Sequence, residues 1–100
     1  MDDIQFNWDD HKNIVNIKKH GVGFAEAARV YFDPEKLELF DEKHTTSNEE
    51  RWDIIGNVNT KILFVVVIRQ GDTMIRIISA RQATKREQEA YYGNHQEKHQ

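Results

Sequence analysis

Cysteine is absent from this chain of 100 residues. Disulfide scaffolds, thiolate zinc sites, iron–sulfur clusters and thiol catalysis are thereby excluded. Proline occurs once and glycine five times. No Pro/Gly-rich linker divides the chain, so the expectation is a single domain over residues 1–92 and a frayed polar tail over 93–100. Long apolar runs are missing as well. The longest, Ile62–Ile68, has seven residues, far below the roughly 20 needed to span a bilayer. No apolar stretch of signal-peptide length follows Met1-Asp2-Asp3, and a soluble cytoplasmic protein without a membrane partner is expected. An excess of positive charge is lacking too: the net charge is −3, which argues against a general nucleic-acid binder.

What is present is a core in outline and an uneven distribution of charge. Hydrophobic residues make up 38% and aromatics 10% of the chain, enough for a domain of this size to fold without staples. Residues 1–60 hold seven Lys/Arg against thirteen Asp/Glu, whereas residues 61–100 hold seven against four. Such asymmetry is consistent with a cationic site on an acidic body, and equally with solvated faces of mixed charge.

The hydrophobic period changes along the chain. Ile4, Phe6 and Trp8 alternate with polar residues, as in a short half-buried strand. Asp9 or Asp10 then offers an N-cap to a helix that carries Ile14 and Ile17 on one side. Lys18, Lys19 and His20 suit the negative end of its dipole, and Gly21 can take the left-handed cap. Phe24, Ala27, Ala28 and Tyr31 form an apolar stripe on a second helix, which Pro34 forbids from continuing. From Lys36 the period becomes two. Strands are expected at Leu37–Leu39, near Glu50–Val58, across Ile62–Ile68 and over Thr73–Arg81. The 42–48 segment reads as an exposed loop. Thr84 and Glu87 have capping-box spacing, and a last helix is expected to run to about Tyr92 and stop at Gly93. The order β-α-α-β-β-β-β-α describes an α+β domain: an antiparallel meander with helices packed against it.

These blocks carry a family resemblance. Phe6-x-Trp8-Asp9-x-x-Lys12-x-x-x-Asn16-x-x-Lys19-His20-Gly21-Val22-x-Phe24-x-Glu26-Ala27 resembles the opening signature of the BrnT toxins. The likeness continues through Val30-x-x-Asp33-Pro34, Glu50-Arg51, Ile55-Gly56 and Leu63-x-Val65-Val66-Val67. It closes with Ile75-Arg76-Ile77-Ile78-Ser79-Ala80-Arg81-x-Ala83-Thr84-x-x-Glu87-x-x-x-Tyr91. The resemblance implies a RelE-like fold and a ribonuclease that inhibits translation. It also implies a BrnA-like antitoxin with a ribbon-helix-helix portion, a 2:2 heterotetramer with it, and contact with operator DNA through that antitoxin alone. Many members of the family carry Arg where Lys61 and Gln88 stand, so this chain brings two fewer guanidiniums to the cationic region.

RNA cleavage without a cofactor or metal needs cations for the charge that develops on phosphoryl oxygens, and guanidinium suits it because it is planar, always protonated and able to bind two oxygens. Arg51, Arg76 and Arg81 are the candidates, with Lys85 and Arg86 at the start of the last helix. Strand alternation sets Arg76 and Arg81 on opposite faces, so they share a site only if the strand ends or bulges near Ala80. For each arginine a surface salt bridge is the competing reading. Glu50 is a candidate base if burial near Trp52 favours its protonated form, and His20 a candidate acid or base. Lys19 is a candidate phosphate contact, and Tyr91 a candidate for stacking on a base, against the competing reading that it is core. The histidines and the adjacent carboxylate pairs Asp9-Asp10 and Glu49-Glu50 show no metal-ligand spacing.

Overall fold

The computed structural model describes residues 3–97, with side chains as far as Asn94. A short strand, β1 (Gln5–Asn7), leads into helix α1 (Asp10–His20). Helix α2 (Phe24–Ala27) tightens directly into a 3-10 turn, Ala28–Phe32. Four strands follow, β2 (Leu37–Phe40), β3 (Glu50–Val58), β4 (Lys61–Gln70) and β5 (Met74–Gln82), then helix α3 (Lys85–Glu97). The sheet order is β1-β5-β4-β3-β2. Strands β2 to β5 form the expected antiparallel meander, and β1 lies parallel to β5 as the opposite edge.

One face of the sheet carries the main core. Ile54, Val58, Leu63, Val65, Val67, Ile75, Ile77 and Ala80 meet Val22, Phe24, Ala27, Ala28 and Val30 from the helical layer. The second helix therefore departs from its expected winding. Phe24, Ala27 and Val30, all fully buried, recur every three residues, which is the repeat of a 3-10 helix rather than an α-helix. Tyr31 is displaced to the margin, where its ring meets Phe6 at 5.4 Å.

Helix α1 also differs from expectation. Ile14, Val15 and Ile17 are about half exposed, and the buried residue of this helix is Asn16. Amide hydrogen bonds hold α1 in place instead of an apolar stripe. Asn13 Oδ1 accepts from the Phe24 amide at 2.8 Å, and Asn16 Nδ2 donates to the carbonyls of Val22 and Ala80, each at 2.8 Å. The expected caps form: Asp9 accepts from Lys12 N–H at 2.9 Å, and Gly21 takes a left-handed φ of 72°.

A smaller cluster of Ile55, Ile62, Ala83 and Tyr91 lies under α3 on the second face of the sheet. Thr84 and Glu87 form the reciprocal capping box. Helix α3 does not stop at Gly93 but runs on to Glu97. Interior glycine costs a helix only about 1 kcal/mol relative to alanine, and Gly93 does not take the left-handed conformation that would end one. Residues 98–100 of the expected tail lie outside the described residues.

Candidate functional site

A register shift in β5 decides which side chains share the second face. Val66 pairs with Ser79 and Val67 with Ile77, so Ile78 is an extra residue opposite that step. This bulge reverses the alternation of side chains beyond it. Ile75 and Ile77 before it, and Ala80 after it, all point into the main core. Arg76 and Arg81 consequently share the other face, despite their odd separation. Arg51 joins them, because the register aligns Arg51 with Ile68 and Ile68 with Arg76. Helix α3 packs over the half of this face bearing Ile55, Ile62 and Phe64. The remaining half presents Arg51, Asp53, Val66, Arg76 and Ser79, each partly exposed, around the buried Ile68.

Each arginine has its own setting. The Arg81 guanidinium lies 4.3 Å over the Phe64 ring and grips both oxygens of Glu87, at 2.7 and 2.9 Å. The fork holds the Glu87 carboxyl below, and the Arg81 guanidinium above, its ordinary range. Arg76 donates to Asn7 Oδ1 at 3.3 Å across the parallel β1–β5 pair. Arg51 is fixed by its backbone, donating to Thr45 Oγ1 at 2.9 Å and accepting from the Asp41 amide at 2.9 Å.

The cationic surroundings come from neighbouring elements. Lys19 and His20 line a shallow hollow of about 240 Å³ with Lys12, Val15, Ile78 and Ser79. Because Ser79 belongs to the arginine face, this hollow adjoins it at the edge of β5. Lys85 and Arg86 are exposed in the first turn of α3, immediately before Arg81's partner Glu87.

Two expected residues lie elsewhere. Glu50 is next to Arg51 in sequence, and strand alternation therefore turns it to the opposite face. There it accepts the Trp52 indole N–H at 2.7 Å and stays exposed, away from the arginines. Tyr91 is not a stacking platform. Its ring is buried, and its hydroxyl donates to Asp33 Oδ2 at 2.6 Å. Asp33 is the centre of a structural knot, also accepting from the Asn57 and Glu35 amides, each at 2.8 Å. Gly56 lets this knot close: a Cβ there would lie 3.2 Å from Val30 Cβ and 3.4 Å from its carbonyl oxygen.

Sequence reasoning missed Asp53, Asp41 and His44. Partial burial pushes the Asp53 carboxyl up and nearby Asp41 adds to the effect, while Arg51 opposes it. His44 Nδ1 lies 2.9 Å from Asp41 Oδ2. Partial burial works against the Asp41 charge, but hydrogen bonds from the His44 ring and amide outweigh it and hold that carboxyl low. The signals were the two-residue separation of Arg51 and Asp53 on one strand and the three-residue separation of Asp41 and His44 in a turn. Among the described residues, no group of three or more His, Cys, Asp or Glu side chains is gathered as a metal site. Among the described residues, no helix is long and apolar enough to cross a membrane.

The fold and the sequence blocks have counterparts. Residues 8–87 match the family described as "Ribonuclease toxin, BrnT, of type II toxin-antitoxin system". The crystal structure of the Brucella abortus ribonuclease toxin BrnT is similar, with a TM-score of 0.57 and 28% identity over 85% of this chain and 99% of that one. Among curated proteins, nothing matches. With four-fifths of its length spanned by that family's pattern, and with the fold of the Brucella protein, the chain belongs to the BrnT ribonuclease toxins of type II toxin–antitoxin systems.

Proposed function

We propose that this chain is a metal-independent endoribonuclease that inhibits translation by cleaving RNA on the open half of the second sheet face. The observation that carries this reading is that Arg51 and Arg76 on the open half, and Arg81 where that half meets α3, share one face of the sheet through the bulge at Ile78. The 2′-oxygen of the substrate attacks the adjacent phosphorus, and guanidiniums take up the charge that grows on the nonbridging oxygens. Arg51 and Arg76 face the phosphate directly. Arg81 contributes when the phosphate draws one arm of its fork from Glu87. Lys19 and His20 on one flank, with Lys85 and Arg86 on the other, follow the RNA backbone. Glu50 and Tyr91 take no part.

In this reading a BrnA-like antitoxin neutralises the toxin by covering the arginine face, and its ribbon-helix-helix portion supplies the DNA contact of a 2:2 autorepressor complex. Both partners act in the cytoplasm. The test is cleavage of labelled RNA by the purified protein in EDTA. Cleavage is expected to persist in the wild type and to fall by about 10²–10³ in Arg81→Ala, with the circular dichroism spectrum unchanged. Identical RNA profiles for wild type and variant favour the alternative, an antitoxin-binding protein acting mainly within the repressor complex. The Arg81–Glu87 ion pair gives that alternative its support, since it already occupies one of the three guanidiniums.

A further inference from the structure

Guanidiniums stabilise charge but do not transfer protons at neutral pH, so the arginine face leaves two positions in the reaction unfilled. We propose that Asp53 is the general base and His44, oriented by Asp41, the general acid of RNA cleavage on this face. The assignment rests on the ribonuclease reading above and identifies its proton-transfer groups.

Asp53 follows Arg51 by two residues on the same strand face and pairs in register with Val66, whose other neighbour is Ser79. The loop after β2 brings the histidine to the same place. Asp41 N–H bonds the Arg51 carbonyl, and Thr45 Oγ1 accepts the Arg51 amide, so the loop is tied to both backbone groups of a residue on the arginine face. Within the loop, Asp41 Oδ1 accepts the His44 amide at 3.1 Å while Oδ2 engages the ring at Nδ1. The carboxylate thus fixes the ring's direction, and Nε2 has no protein partner among the described residues. The His44 side chain is 57% exposed, accessible to a bound strand. The charged groups that Asp53 senses are Arg51 on its own strand, Asp41 and His44 from the loop, Glu87 from α3 and Arg81 from β5.

The roles follow from these surroundings. Asp53 lies two residues from Arg51 on the same strand face and is partly desolvated, and its raised proton affinity makes its anion the stronger base. Asp41, kept ionised, holds the His44 ring at Nδ1 and its amide at Oδ1, which leaves Nε2 to carry the proton that an acid delivers. The Asp53 carboxylate takes the 2′-hydroxyl proton as the 2′-oxygen pair forms a bond to phosphorus. The bond from phosphorus to the 5′-oxygen breaks, its electron pair leaves on that oxygen, and Nε2–H of His44 protonates it. The products are a 2′,3′-cyclic phosphate and a 5′-hydroxyl. Asp53 is left protonated and His44 neutral, and exchange with water restores both.

A substrate with a 5′-bridging phosphorothiolate separates the two roles, because a thiolate leaves without a proton. With the full chain in EDTA, His44→Gln is expected to cleave ordinary RNA at least about 100-fold more slowly than wild type, and to recover to within about tenfold on the phosphorothiolate. Asp41→Asn is expected to show a smaller loss that the same substrate restores, as a positioning residue should. Asp53→Asn is expected to be slow on both. If Asp53→Asn fails to fold, His44→Gln, in an exposed loop, carries the test alone. Wild-type rates in both variants overturn the assignment, as does a His44→Gln defect that the phosphorothiolate leaves in place. A wild-type protein that cleaves neither substrate overturns the ribonuclease reading, and this assignment with it.

Discussion

Asn16 pairs with Ala80 as a neighbouring strand would. Its Nδ2 donates to the Ala80 carbonyl at 2.8 Å and its Oδ1 accepts from the Ala80 amide at 3.3 Å. Strand β1 covers the edge of β5 only as far as Arg76, and beyond it this amide side chain takes over. Asn16→Ala leaves a buried donor and acceptor without partners. It is expected to cost about 2 kcal/mol and to lower the melting midpoint by roughly 10 °C in a domain of this size. A calorimetric midpoint within a degree or two of wild type contradicts this account.

The turn between β3 and β4 is expected to be improvable. Asn59 and Thr60 both have positive φ, 49° and 71°, the two-residue geometry that favours Asn-Gly. A β-branched threonine is poorly suited to that region. Thr60→Gly is expected to stabilise the fold by about 0.5–1 kcal/mol, seen as a higher urea midpoint with an unchanged slope.

Asp33, the buried Tyr91 and the partly buried Tyr31 give stability a predictable pH dependence. Partial burial works against the Asp33 charge, but hydrogen bonds from Tyr91, Asn57 and Glu35 outweigh it and hold the carboxyl below its ordinary 3.8. Its folded value is depressed, so its contribution is complete above about 3.8 and is lost as pH falls through the lower folded value. Tyr91→Phe is expected to cost about 1–2 kcal/mol at neutral pH and to flatten that acid loss. Tyr31 and Tyr91 shift the other way, chiefly through burial, Tyr31 reaching about 12. Their contribution is full below the ordinary tyrosine value of 10.0 and is expected to fade as pH rises from there towards 12. Urea midpoints measured from pH 2 to 12 check both limbs.

Glu87 restrains Arg81, so releasing it is expected to change RNA binding more than folding. Glu87→Gln keeps an acceptor for the Thr84 amide and removes the charge. Stability is expected to fall by about 1 kcal/mol. RNA affinity should rise, and its logarithmic salt dependence should steepen by about 0.7 as one more cation becomes available to phosphate. Anisotropy titrations at several salt concentrations read this directly, and an unaltered slope removes Arg81 from the RNA contact.

Local chemistry was legible where it is decided within a few residues. The Asp9 cap, the Gly21 stop, the Thr84–Glu87 box and the apolar Ile62–Ile68 strand all appear where their spacing placed them. The buried side of α1 was not legible, because Asn16 acts through a carbonyl 64 residues away and its apolar neighbours gave the opposite signal. The common face of Arg76 and Arg81 required a bulge near Ala80; alternation alone separates them. Glu50 was misplaced because adjacency in a strand means opposite directions. Asp53 and His44 gain their setting from a loop folded back on Arg51, which no periodicity encodes.

The parallel pairing of β1 with β5 has a bearing on how this molecule folds. Asn7 and its partner Arg76 stand 69 positions apart in the sequence. Such distant closure is slow compared with helix or hairpin formation. The parallel edge that holds Arg76 is therefore expected to close late in folding, after the β3–β4 and β4–β5 hairpins have formed.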